Sequence, residues 1–199
     1  MTTYAAPINV ANAAILLLGA RPLTALTDAS PEARVVNTHY EPVVKAALTR
    51  HAWTWGKKTE PLAKSGQTPE GKFLYAMPSD LLNLRYVTYK DRKITIEEIV
   101  DGELVVPYDT EIYAHYTWRV PEARWPADFA EAIVTTLNGK LIRALLNDFN
   151  EARAQDEQGE RLLRRAMVRD KRQIKGREID ENPRMVRIWY GNRRHGSQA

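Results

Sequence analysis

The strongest constraint on this chain lies in residues 125–177. Trp125-Pro126-Ala127-Asp128-Phe129 opens a helix with proline near its first position. Phe129, Ile133, Leu137, Leu141, Leu145 and Phe149 then recur at every fourth residue. Ala130, Val134, Ile142 and Leu146 widen that stripe into the pattern of a helix buried along one face. The continuation from Asn150 has a different surface. Its apolar positions (Leu162, Leu163, Ala166, Met167, Ile174) are sparse, and between Arg161 and Arg177 stand eight Lys/Arg and a single acid, Asp170. Glu157/Arg161 and Glu160/Arg164 are acid-before-base pairs at i,i+4, each contributing about 0.2–0.5 kcal/mol to a helix. The spacing therefore predicts a packed helix over 126–149 leading into a solvated basic one over 151–175.

That second helix also sets the charge. Residues 151–199 hold 13 of the 29 Lys/Arg against 8 of the 25 acids, so the rest of the chain is close to neutral. The sequence pI near 9.3 thus belongs to the C-terminal quarter, which points to an interacting end rather than a generally basic protein. With 44% hydrophobic and 27% charged residues the chain is globular in composition. No apolar run approaches the roughly 20 residues of a membrane span. Cysteine is absent, which removes disulfides and thiolate metal sites and fits a reducing compartment.

Towards the front, a short apolar helix over 8–19 stops at Gly19, with Pro22 beyond it. Ser30-Pro31-Glu32 supplies a hydroxyl cap, a proline at the first position and a first-turn acid for a helix over 31–55. Trp53 and Trp55 are expected to pack under its end. Pro61, Ser65, Gly66, Pro69 and Gly71 give residues 57–71 the chemistry of a loop. The hydrophobic period then changes: residues 72–120 read as short strands rich in Tyr, Val, Ile and Thr, with Asp101-Gly102 as a hairpin signal. The expected fold is α+β, a bundle of about four α-helices with an inserted small antiparallel β-sheet. Residues 1–177 form one domain, and 178–199 an extended C-terminal tail.

Catalytic signatures are sparse. His39, His51, His115 and His195 are isolated, and no phosphate-binding loop follows a strand. Asp148 and Glu151 are the nearest to a carboxylate pair, although acids at that place also suit the start of the second long helix. The basic side chains Arg161, Arg164, Arg165, Arg169, Arg172 and Lys175 admit two uses, as a subunit interface or solvated wall, or as a surface that neutralises phosphates without reading sequence. Beyond Asn182-Pro183, the residues Met185, Ile188, Trp189, Tyr190, Arg193 and Arg194 combine aromatics with arginine, the types that anchor interfaces, and read as a docking segment.

Taken in order, four stretches resemble the head-to-tail connector (adaptor) proteins of tailed phages, a family that includes the tubular tail protein A of short-tailed phages and the adaptors of gene-transfer particles. The first is Leu16-Leu17-Leu18-Gly19-Ala20-Arg21-Pro22 with Leu26-Thr27-Asp28 ahead of the second helix. Next comes Leu48-Thr49-Arg50-His51-Ala52-Trp53-Thr54-Trp55, a basic and aromatic helix ending. The third is Tyr75-Ala76-Met77-Pro78-Ser79-Asp80-Leu81-Leu82, a Pro-x-Asp strand start. The last is Tyr116-Thr117-Trp118 before Trp125-Pro126-Ala127-Asp128-Phe129 and the two long helices. The match spans roughly residues 8–175. It departs from the family at Asn83, where an arginine is common and here stands at Arg85 instead, and at Pro42 within the second helix.

The resemblance implies a structural, non-enzymatic component of the virion at the head–tail junction, made in the host cytoplasm. Relatives form a closed, usually dodecameric ring beneath the portal, with the helices as ring body. Their β-rich part meets the nozzle or next tail component, and genomic DNA passes through the lumen. By the same resemblance the tail residues 185–194 dock on the portal. No cofactor, metal, catalytic residue or membrane contact is expected. The competing readings are a cell-wall glycan hydrolase of the tail and a basic DNA-binding protein.

Overall fold

A computed structural model describes residues 4–96, 98–107 and 109–178, with side chains through Gln173. The proposed docking residues Met185, Ile188, Trp189, Tyr190, Arg193 and Arg194 lie outside the described residues. The fold is α+β: four helices and two small antiparallel sheets of four strands each.

Helix α1 (Pro7–Leu16) carries proline in its first turn and buries Val10, Ala11, Ala14 and Ile15. Asn12 ties the following connector to it, accepting from Leu23 N at 2.7 Å and donating to Leu23 O at 3.0 Å. Helix α2 (Pro31–Thr49) begins as its sequence predicts, with Ser30 Oγ accepting from Ala33 N at 3.1 Å. It stops at Thr49 rather than reaching residue 55. The Trp53 indole donates to Ala47 O at 3.1 Å, satisfying a last-turn carbonyl that a continuing helix would have used. Trp53 and Trp55 do pack at this end, edge-on to Phe129 with ring centroids 5.1 and 4.9 Å away.

One expected sheet is in fact two, and the β-region starts earlier than residue 72. Strands β1 (Lys57–Pro61) and β2 (Ala63–Gln67) occupy the stretch whose composition suggests a loop. Both are edge strands: one sheet runs β1, β8 (Tyr113–Trp118), β4 (Leu81–Tyr89), β5 (Arg92–Ile94), the other β2, β3 (Phe73–Ala76), β7 (Glu103–Val106), β6 (Glu98–Val100). Edge positions tolerate the Pro, Ser and Gly that argue against a central strand, and Gly66 sits at a register shift against β3 (Phe73–Ala76). Strands β4 (Leu81–Tyr89) and β5 (Arg92–Ile94) are joined by Lys90-Asp91, and β6 (Glu98–Val100) and β7 (Glu103–Val106) by Asp101-Gly102. All four turn residues have positive φ, from 45° to 80°, as a two-residue type I′ hairpin requires. Strand β8 (Tyr113–Trp118) completes the first sheet. Val87, Ala114 and Tyr116 from that sheet share a core with Tyr75, Leu104 and Val106 from the other, making a small sandwich.

Helix α3 (Ala127–Leu141) is the axis of the helical layer, and α1, α2 and α4 (Phe149–Glu178) all pack on it. The α3–α4 crossing is close because Gly159 stands at it: a Cβ there would lie 2.3 Å from Thr136 Oγ1 and 3.2 Å from Thr136 N. Helix α3 does not run to residue 149. Residues 142–146 widen into a π-helical turn, Asn147 turns left-handed at φ 55°, and Asp148 Oδ1 caps α4 by accepting from Asn150 N and Glu151 N at 3.1 and 3.0 Å. The apolar stripe is thus cut before its end, leaving Leu146 60% and Phe149 65% exposed.

A polar cluster fastens α2 to the segment that follows β8. Tyr40 on α2 donates to the buried Glu122 at 2.8 Å, and Arg119 bridges Glu122 to Glu41. Burial, then Glu122, pushes the Tyr40 hydroxyl above its ordinary pKa. Burial alone would lower Arg119, but the two carboxylates outweigh it and push it up.

Candidate interaction surfaces and the junction beneath them

The inward positions of α4 are Ala152, Gly159, Leu162, Leu163, Ala166 and Asp170, all buried. Spacing of three and four residues puts them on one side, and the arginines follow on the other. Arg161, Arg164, Arg165, Arg169 and Arg172 are all exposed, and Lys175 lies on the same helix with its side chain outside the described part. Their pairing is unequal. Arg164 meets Glu160 at 2.9 Å, Arg169 meets Asp128 at 3.3 Å, and Arg161 donates to Gln158 at 2.8 Å. Among the described residues, Arg165 and Arg172 meet no carboxylate. With Arg164, Arg169 and the half-exposed Val168 they line an open groove of about 420 Å³ whose charge is wholly positive.

The lone acid of the basic run serves another purpose. Asp170 is 4% exposed and accepts from Thr54 N at 3.1 Å and from Thr54 Oγ1, with His51 Nε2 at 3.2 Å. Arg85 lies close by. It donates to Trp53 O at 2.7 Å and to Thr117 Oγ1 at 3.0 Å, so the first sheet, the end of α2 and the C-terminal half of α4 meet at one polar junction. Burial lowers the Arg85 pKa, and the Asp170 carboxylate opposes that shift. Sequence reasoning missed this junction. Its one available signal was an acid alone among eight cations.

The carboxylates considered for hydrolysis have other partners. Asp148 caps α4, and Glu151 accepts from Gln155 Nε2 at 2.8 Å. A pair that sequence spacing hides is Glu60 and Asp80, which converge on the buried Tyr116 hydroxyl at 2.6 and 2.9 Å and on Lys58 Nζ at 2.6 and 2.8 Å. Lys58, then Tyr116, holds Glu60 below the usual carboxylate range; at Asp80 the same two partners overcome a burial effect of opposite sign. Two-carboxylate glycoside hydrolysis needs one acid pushed up so that it can donate a proton. Here both are pulled down, the behaviour of an ion cluster that fastens β1, β4 and β8.

A second concavity opens on the helical layer. Helices α2 and α4 flank α3 and pack on it rather than on each other, leaving a trough of about 480 Å³. Its floor is Ala132 and Ile133 of α3; its walls include Pro42 and Ala46 of α2 and Gly159 and Leu163 of α4. Arg50 and Glu160 span it at 2.5 and 2.7 Å. Nearby, Asp156 of α4 meets Lys140 at 3.2 Å and Arg143 at 3.1 Å. Burial works against the charged form of Glu160, yet Arg164 and Arg50 hold its pKa below the usual range.

Among the described residues no group of three or more His, Asp or Glu side chains is arranged to hold a metal ion, and no helix is long and apolar enough to cross a membrane. In comparisons with known proteins, no family model matches the chain, and no curated protein matches it either.

Proposed function

We propose that this chain is a structural virion protein, a head-to-tail adaptor whose copies form a ring, a dodecamer by the family resemblance, between the portal and the tail nozzle. Genomic DNA passes through the lumen of that ring. The reading rests on the ordered resemblance of residues 8–175. The observation that carries it in the structure is the surface of α4, one side packed on α3 and the other a row of exposed arginines, three of them (Arg161, Arg165 and Arg172) without an acidic partner among the described residues. A ring subunit needs unlike surfaces on its two sides, and a lumen that conducts DNA suits cations that bind phosphate weakly and without reading sequence. In this reading the α-helices make the ring body, the sandwich meets the next tail component, and residues 185–194 dock on the portal.

The test is to tag the chain in tailed particles that carry it and to image the particles by electron microscopy. A closed ring of label at the head–tail junction is the expected result; label elsewhere, or none in the particle, refutes the reading. Arg165 and Arg172, which meet no carboxylate among the described residues, favour one second reading, a stand-alone DNA-binding protein. Log–log salt dependence separates the two. An adaptor subunit with about three phosphate contacts binds duplex DNA weakly with a slope near −3, whereas a stand-alone binder holds it tightly with a steeper slope.

A further inference from the structure

Helix α1 ends in an apolar surface that the chain leaves open. Residues 1–20 contain no charged side chain, and α1 has Val10, Ala11, Ala14 and Ile15 turned inward. Its end nevertheless leaves Leu16 57% and Leu17 64% exposed. Apart from Asn9 and Asn12 the side chains of α1 are apolar, and its packing on α3 and, more lightly, on α2 leaves that end uncovered among the described residues. The trough between α2 and α4 is the converse, a place over α3 where a closed bundle would carry one more helix.

We propose that these two features are the halves of one contact between copies: the exposed end of α1, with Leu16 and Leu17, seats in the α2–α3–α4 trough of a neighbouring copy. Charge supports a second copy as the occupant. The charges that line the trough balance within the chain, Arg50 against Glu160 and Lys140 against Asp156, while Arg164 and Arg143, which also reach those carboxylates, lie outside its lining. A neutral helix end therefore meets a surface with no net demand for charge, whereas an acidic or basic segment would have to break those pairs. Size agrees as well, since Pro42, Ala46 and Ala132 are small residues that leave room for bulky aliphatic side chains. Placement is the third support. Asn138 holds α1 by donating to Ala14 O at 3.0 Å, while Thr136 and Lys140, two residues to either side, line the trough. Two residues are about 200° around a helix, so donor and acceptor surfaces lie on opposite sides of α3. Such a contact is head-to-tail, and head-to-tail contacts close into rings when the rotation permits. The inference rests on the ring reading and names the residues that join its subunits.

The absence of native cysteine makes the test direct. The full-length L17C/A46C double variant, treated at high concentration with a short bismaleimide, is expected to give a ladder of covalent oligomers. Each single variant should give none beyond dimer. In sedimentation, L16D/L17D should weaken self-association roughly tenfold or more, and A46W, which fills the trough from the opposite partner, should do the same while both keep the wild-type circular dichroism. Oligomers that persist in L16D/L17D and A46W, or a double variant that gives no ladder at about 1 mM protein, overturn the contact. Ring density in tagged particles alongside that negative result would show that the ring reading stands and this interface is wrong. Loss of the density as well would remove both.

Discussion

Replacing Asp170 by alanine probes the junction where all three parts of the fold meet. The carboxylate is 4% exposed and receives Thr54 N, Thr54 Oγ1 and the His51 ring. A hydrogen bond to a charged acceptor contributes about 1.5–3 kcal/mol, and bonds sharing one acceptor are not additive. Thr54 is itself exposed, so water recovers part of what its amide loses in the variant. The expected cost of D170A is therefore about 2–3 kcal/mol, a large share of the roughly 5–15 kcal/mol that holds an ordinary domain together. D170N keeps the shape and one acceptor oxygen and should cost about half as much. Urea unfolding followed by tryptophan fluorescence measures both, because Trp53 lies beside Asp170's partners and on Phe129. With an m-value of about 1–3 kcal/mol/M, the D170A midpoint should fall by about 1–2 M. A midpoint within about 0.2 M of wild type at unchanged m would show that the junction is ornamental. T54V supplies the cross-check: the D170A/T54V double variant should lose less than the sum of the two singles.

Gly159→Ala should destabilise despite the better helix propensity of alanine. The added methyl would sit 2.3 Å from Thr136 Oγ1, which is held by a bond to Ala132 O, so a strain of about 1–3 kcal/mol outweighs a propensity gain of about 1 kcal/mol. Adding T136A should restore the melting temperature, and a G159A protein that melts above wild type would contradict the close α3–α4 crossing. Acid should weaken the fold. Glu41, Glu60, Asp80 and Glu160 are all held below their ordinary pKa by Arg or Lys partners. The unfolded chain therefore takes up protons first: the stabilisation is complete above the ordinary carboxylate range, about pH 5, and is lost as pH falls through the lowered folded values. Urea midpoints at pH 7 and pH 3.5 check the sign; an unchanged or higher midpoint in acid would refute it.

What the sequence disclosed depended on whether the information was local. The Ser30-Pro31 start, the stripe from Phe129 to Leu141 and the Asp101-Gly102 hairpin are each written in a few neighbouring residues, and each is present. The Lys90-Asp91 hairpin has the same backbone with no glycine to signal it. Strands β1 and β2 were illegible because edge strands with one or both faces wet lack alternation, and their partners β8 and β3 supply the order. Phe149 misled for the opposite reason. Its period fits the stripe, but one left-handed residue, Asn147, breaks the helix and resets its phase. The clusters at Asp170 and at Glu60 with Asp80 depend on long-range register, which no local spacing contains.

The distribution of polar groups also explains how two separate hydrophobic cores behave as one body. The helical core and the sandwich core share Trp118 at their border, and apolar contact alone is non-directional, so it would let the layers slide. Hydrogen bonds fix angle as well as distance. Arg85 fastens β4 and β8 to the backbone after α2, and Asp170 fastens that same backbone to α4. In the adaptor reading the sandwich and the C-terminal residues have different partners at opposite ends. A subunit of that kind needs its strongest directional bonds between the layers rather than within them. The consequence is that weakening Asp170 should disturb assembly at concentrations where the folded monomer is still fully populated. L16D/L17D, by contrast, should weaken the same assembly roughly tenfold or more and leave urea stability untouched. Equal losses of stability and assembly in both variants would mean that the junction is a simple part of the core and that the layers need no fixing.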